Sequence, residues 1–127
     1  MSIERIMAAH PEVGARHEAL ALAVRHALFC AAICTSCADA DSAEAMDMRQ
    51  CVRTCLDCAD VCAATARVAI RQTGSNGIVT RALLETCITA CETCADECER
   101  HDHAHCRLCA QMCRECARDC RAAIESL

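Results

Sequence analysis

The sequence is short of the residues from which most protein cores are built. It has one aromatic side chain, Phe29, no Trp and no Tyr, and Leu, Ile, Val and Phe together make up 22 of its 127 residues. Without rings there is nothing on which bases can stack, and a formal charge of −5 with no basic stripe offers little to a phosphate backbone. Nucleic acid is therefore excluded as an expected partner. No stretch approaches the roughly 18 uninterrupted apolar residues of a membrane span, so no membrane association is expected either. The opening segment carries Glu4, Arg5, Glu12, Arg16 and Glu18, and it lacks the basic flank, apolar run and cleavage site of an export signal. The expected location is cytoplasmic.

Chain breakers are equally scarce. Pro11, Gly14, Gly74 and Gly77 are the whole set, against 26 alanines, so long helices joined by brief turns are expected in one small domain spanning 1–127. Ser2 is placed to cap a short helix over about 2–10, and Pro11 to open a bundle that runs to about 126. The first long helix is expected over about 11–40. Asp41-Ser-Ala-Glu44 has the spacing of a capping box, which starts the second helix near 42 and carries it to about 72. Gly74-Ser-Asn-Gly77 is a turn, after which Ser75 or Asn76 caps a third helix reaching about His101. Asp102 caps the fourth, to about Ser126. Long helices with short connections run antiparallel to their neighbours, so the expected fold class is all-α, an up-down-up-down four-helix bundle with a short extra N-terminal helix.

What the chain has in place of aliphatics is sulfur. Sixteen cysteines fall as Cys30, Cys34 and Cys37 on the first long helix; Cys51, Cys55, Cys58 and Cys62 on the second; Cys87, Cys91, Cys94 and Cys98 on the third; and Cys106, Cys109, Cys113, Cys116 and Cys120 on the fourth. Within each helix the gaps alternate strictly between three and four, the rhythm that keeps a row of residues on the seam facing the neighbouring helices. One or two such cysteines would be small buried hydrophobes. Sixteen forfeit apolar burial worth about 0.8 kcal/mol per lost CH2, and metal binding offers the compensating stabilisation.

The choice of metal follows from the pattern. A reducing cytoplasm disfavours disulfides, and neighbours one turn apart cannot be bridged without distortion. Cys30-x3-Cys34-x2-Cys37 imitates an iron–sulfur signature but sits on a helix, and the ferredoxin spacing is absent. Zinc could take one thiolate from each helix as a tetrahedral site, yet such sites are discrete sets of four. An unbroken row of soft sulfurs suits Cu(I), which takes two or three thiolates and lets each sulfur bridge two ions, giving about one Cu(I) per cysteine. A zinc or mixed-metal thiolate buffer remains the alternative, with an iron–sulfur or redox carrier behind it.

The seams also give the bundle a direction. At the end shared by the close of the first helix and the start of the second, Cys51 continues back to Met48 and Cys98 forward to His101, with His103, His105 and Met46 beside them. Imidazole and thioether are exchangeable Cu(I) ligands, which makes this end the expected mouth for copper, the competing reading being a polar hairpin with solvated histidines. At the other end the seams carry Leu20, Ala23, Ala27, Thr65, Ala69, Thr80, Leu84, Ala123 and Leu127, an apolar closure. His26 and Met112 lie one step off their seams and read as ordinary helix-face residues; Asp41 and Asp102 extend the seams but are explained by capping.

A bundle of this length, lined with C-x3-C and C-x2-C ladders and bearing His and Met at one end, resembles the bacterial copper storage proteins, the Csp family, over essentially the whole chain. The resemblance implies a non-enzymatic Cu(I) store in the cytosolic branch, assembled as a homotetramer, with the sixteen cysteines as ligands and His101 and Met48, flanked by His103 and His105, at the mouth. A copper chaperone or chelator is the expected exchange partner. An enzymatic role is not expected, because no nucleophile and base pairing can be argued from spacing and the thiols lack flanking cations on the seam.

Overall fold

A computed structural model describes residues 2–14 and 17–127. Its helices are α1 (Ile3–Ala8), α2 (His17–Ser42), α3 (Arg49–Ala69), α4 (Gly77–Cys98) and α5 (Ala104–Ser126). The four long helices form a square. α2 packs on α3 and α5, and α4 packs on the same two, while the diagonal pairs make no backbone-level packing. The all-α four-helix bundle with a short N-terminal helix is thus as the spacing implies.

Local signals explain most helix ends. Ser2 caps α1 by accepting from the Arg5 amide at 3.1 Å, and Gly74 turns the chain between α3 and α4 with φ +67°, a conformation that favours glycine. Three boundaries differ from the spacing. Pro11 does not open α2: residues 11–12 lie in a turn, residues 13–14 have no regular secondary structure, residues 15–16 lie outside the described residues, and α2 begins at His17. Glu12 accepts instead from the Gly74 amide at 3.2 Å and His10 meets Thr73 at 3.1 Å, so long-range contacts hold this segment across the end of the bundle.

Nor does Asp41 begin a helix. α2 runs on to Ser42, the connector 43–48 follows, and α3 starts at Arg49 with Met48 as its cap residue. α4 stops at Cys98, which leaves His101 in the connector 99–103, and α5 is preceded by His103 in the cap position, with Asp102 exposed and paired to Arg107.

All sixteen cysteines are at most 2% exposed. They form one core with alanines and a few larger side chains, Leu84, Val24 and Met7 among them. Sulfur and methyl groups keep the helices close, so the interior consists largely of thiol. α2 is by length and composition apolar enough to cross a membrane. In the fold its cysteines and Ala21, Ala23, Ala27 and Ala38 face inward, and its outer side presents Leu22, Leu28, Phe29 and Ile33 to solvent.

The end carrying the α3–α4 connector is closed. Ala23, Ala27, Thr65, Ala69, Leu84 and Ala123 are buried there, with Leu20 and Leu127 partly buried against them. The segment containing α1 is tied over it, with Gln72 Nε2 donating to the Met7 carbonyl at 2.9 Å.

Candidate metal centre

The alternating spacing places one cysteine per helical turn on each inner face, and antiparallel packing brings the four ladders level. Cys34 Sγ is 3.7 Å from Cys109 Sγ and 3.6 Å from Cys113 Sγ; Cys55 is 3.7 Å from both Cys94 and Cys98. Deeper in, Cys58 lies 3.7 Å from Cys91, Cys62 the same distance from Cys87, and Cys87 3.9 Å from Cys116. These sulfurs fall into sets of four whose members all lie within 4.8 Å of one another, such as Cys30–Cys34–Cys58–Cys113, Cys30–Cys58–Cys62–Cys91 and Cys62–Cys87–Cys91–Cys116.

The sets overlap. Cys30 and Cys58 belong to the first two, Cys62 and Cys91 to the second two, so these four sulfurs cannot each be assigned to a single closed tetrahedron. A continuous ladder of shared donors is the arrangement in which a thiolate bridges two soft ions. All sixteen thiols are free of disulfides.

Their protonation reflects this crowding. Burial and then the neighbouring Asp41 push the Cys51 thiol up to about 12, whereas hydrogen bonding from other thiols, Cys113 first, brings Cys58 down to about 7. Cys120, at the closed end, is raised by its hydrogen bonds to Cys116 and Cys87 and by burial.

At the open end the ladder meets other donors. His105 Nδ1 lies 3.3 Å from Cys37 Sγ and 3.6 Å from Cys106 Sγ, while its Nε2 donates to Glu44 Oε2 at 2.8 Å. Hydrogen bonding to Cys37 raises the pKa of His105. The His103 ring stacks on that of His105, with centroids 5.5 Å apart, and its Nδ1 is 3.3 Å from the same Glu44 oxygen. His101 keeps Nε2 buried without a hydrogen-bond partner, and Met48 is buried beside a cleft that also contains Asp41 and Met46. Met46 itself is exposed. A second cleft of about 400 Å³ reaches Cys37, His105 and Met112 between α2 and α5.

The spacing therefore brings Cys37, Cys106 and His105 together, with His101, His103 and Met48 at the same end. Asp41 and Glu44, which the spacing places in a capping box, serve elsewhere. Asp41 is 2% exposed and accepts from Cys106 Sγ at 3.6 Å; burial raises its pKa. It stands four residues after Cys37, which continues the ladder's own rhythm, and that was the signal for its place inside. Glu44 ties the two connectors together through the histidines. Of the off-seam residues, Met112 is buried at the second cleft, and His26 bonds to Asp119, a contact that joins α2 to α5.

The copper storage protein family profile matches residues 16–125. No curated relative matches the chain. Among solved structures, the copper storage protein Ccsp from Streptomyces lividans loaded with 10 copper equivalents is 43% identical, over 99% of this chain and 100% of that one, with a TM-score of 0.95. A structure of copper loading to a cytosolic copper storage protein from the same organism, with five coppers, is 47% identical over 88% of this chain and 97% of that one, with a TM-score of 0.86.

Proposed function

The chain belongs to the copper storage protein (Csp) family, and on that premise we propose that it is a cytosolic store that holds Cu(I) on the thiolates of Cys30, Cys34, Cys37, Cys51, Cys55, Cys58, Cys62, Cys87, Cys91, Cys94, Cys98, Cys106, Cys109, Cys113, Cys116 and Cys120. The observation that carries this reading is the overlap of the sulfur sets, which favours bridging thiolates over separate tetrahedral sites. With each Cu(I) between two sulfurs and each sulfur between two ions, charge balances at one thiolate per ion. A buried interior can tolerate that neutrality.

Copper is received and returned at the open end, where His101, His103, His105 and Met48 supply exchangeable donors. A copper chaperone or a small chelator is the exchange partner. The role is storage and not turnover of a substrate. The family relationship and the solved copper-loaded relatives favour copper over a zinc buffer or an iron–sulfur carrier.

Assembly into a homo-oligomer, a tetramer by the family resemblance, is supported by the apolar outer side of α2, where Phe29 is 50% exposed. Burial of such a stripe against another copy is favourable at about 25 cal/mol per Å².

Anaerobic titration of the reduced protein with Cu(I) against a chromogenic Cu(I) chelator tests the reading. Tight uptake of about one ion per cysteine is expected. Saturation far below about ten ions per chain, or a preference for Zn(II) in steps of four thiols, overturns it.

A further inference from the structure

Copper storage accounts for the sulfurs and leaves Asp41 without a role. Its carboxylate is 2% exposed, its Oδ1 accepts from Cys106, and its Oδ2 is buried with no hydrogen-bond partner at all. A buried polar atom of this kind costs about 1–3 kcal/mol unless something satisfies it. A soft ion such as Cu(I) does not, because it selects thiolate and thioether over carboxylate oxygen.

The atoms around it form a mixed set. His105 Nδ1 is 3.3 Å from Cys37 Sγ, 3.6 Å from Cys106 Sγ and 3.7 Å from Asp41 Oδ1, and Cys106 Sγ is 3.6 Å from the same oxygen. A tetrahedral zinc ion with bonds of about 2.3 Å to sulfur and about 2.0–2.2 Å to nitrogen and oxygen has donor-to-donor edges of about 3.4–3.6 Å between unlike atoms. The four separations fit four edges of such a tetrahedron to within a few tenths of an ångström. The imidazole is also oriented as zinc-binding histidines are, with Nε2 at the Glu44 carboxylate and Nδ1 facing the sulfurs of Cys37 and Cys106.

We propose that Cys37, Cys106, His105 and Asp41 form a binding site for one Zn(II) ion at the open end of the copper-free bundle, mixed in donor chemistry where the interior is all sulfur, and sharing Cys37 with the sulfur set Cys37–Cys55–Cys98–Cys109. Charge directs the ion there. Zn(II) on four thiolates in the interior carries a net −2 away from water, whereas two thiolates, one carboxylate and a neutral imidazole leave −1 at the one end where polar groups and solvent are near. Binding releases the thiol protons of Cys37 and Cys106. The site stands on the geometry of these four residues and holds whether or not the interior stores copper.

Titration of the reduced, copper-free, full-length protein with Zn(II) alone, against a chromogenic zinc chelator and with X-ray absorption at the zinc edge, tests the proposal. The first equivalent is expected to bind more tightly than later ones, with two sulfur and two nitrogen or oxygen neighbours. D41N is expected to weaken that equivalent by at least about tenfold while leaving Cu(I) capacity unchanged, and E44Q by roughly ten- to hundredfold, the usual effect of losing a partner that orients a ligating histidine. A first ion with four sulfur neighbours, or D41N binding Zn(II) as tightly as the parent, overturns the site. The parent spectrum decides the matter even where a variant fails to fold. Full Cu(I) capacity without a tight Zn(II) ion sinks this proposal and spares copper storage; one tight Zn(II) with low copper capacity does the reverse.

Discussion

Cys30 Sγ lies 3.9 Å from Cys91 Sγ across the diagonal of the bundle, joining α2 to α4, two helices that otherwise do not pack together. The axis of the molecule is therefore occupied by sulfur. Each of these two thiols also has partners on the adjacent helices, Cys113 at 3.7 Å for Cys30 and Cys58 at the same distance for Cys91. If thiolates bridge as proposed, a central one serves more than one ion. Substituting Cys30 or Cys91 by Ser should accordingly lower Cu(I) capacity by about two ions per chain, against about one for Cys120 at the closed end. Chelator-competition titration of the three variants measures this, and equal losses would contradict bridging.

Stability should depend on copper. The interior is built from thiols and methyl groups, with Leu84, Val24 and Met7 as the few large side chains wholly within it. Each ion held at about a hundred times its dissociation constant contributes about 2.7 kcal/mol that the apo form lacks. The loaded protein is expected to melt well over about 10 °C above the reduced apo protein. Scanning calorimetry of both forms under anaerobic conditions checks this, and coincident transitions would refute it.

Alkaline pH should weaken the apo fold. Cys51 is raised from 9.0 to about 12 by burial and Asp41, so in this range the folded thiol keeps a proton that the unfolded chain releases. A group raised in the folded state contributes stability that is complete below its unfolded value and lost as pH rises through the folded one. Urea midpoints of the apo protein should fall between pH 9 and about 12, the window set by this thiol. C51A should flatten that dependence.

The open-end donors should control rate more than amount. Replacing His105 by Ala removes the nitrogen nearest Cys37 and Cys106 but none of the sixteen thiols. Stopped-flow loading from a Cu(I) chelator is expected to slow by at least about tenfold, with final capacity within about one ion of the parent. H101A combined with M48A should slow loading and removal as well; unchanged rates in that double variant would exclude both residues from the path.

The ladder was legible because alternation of three and four is a geometric property of one helix face, and a thiol at each step leaves little freedom in what faces inward. Asp41 shows where local reading stops. Asp41-Ser-Ala-Glu44 satisfies the capping-box pattern, yet α2 continues to Ser42 and the carboxylate is buried beside Cys106, so the tertiary position outweighs the local cap. Pro11 is a similar case. Its preference for the first turn of a helix is real, but His10 and Glu12 are engaged by Thr73 and Gly74, residues more than sixty positions away that no local pattern connects. His103 and His105 were legible as a pair near the open end, whereas Glu44 reaches both through tertiary packing that no local pattern encodes.

The closed end has a consequence for the order of events. Leu84, Ala27 and Ala123 seal the interior there, and the segment bearing α1 is fastened across it. With exchange at the open end as proposed, ions bound near Cys116 and Cys120 would have to move past the occupied positions above them. Such a store would work as a stack, last in and first out. A cell drawing on the reserve would then receive the most recent surplus first.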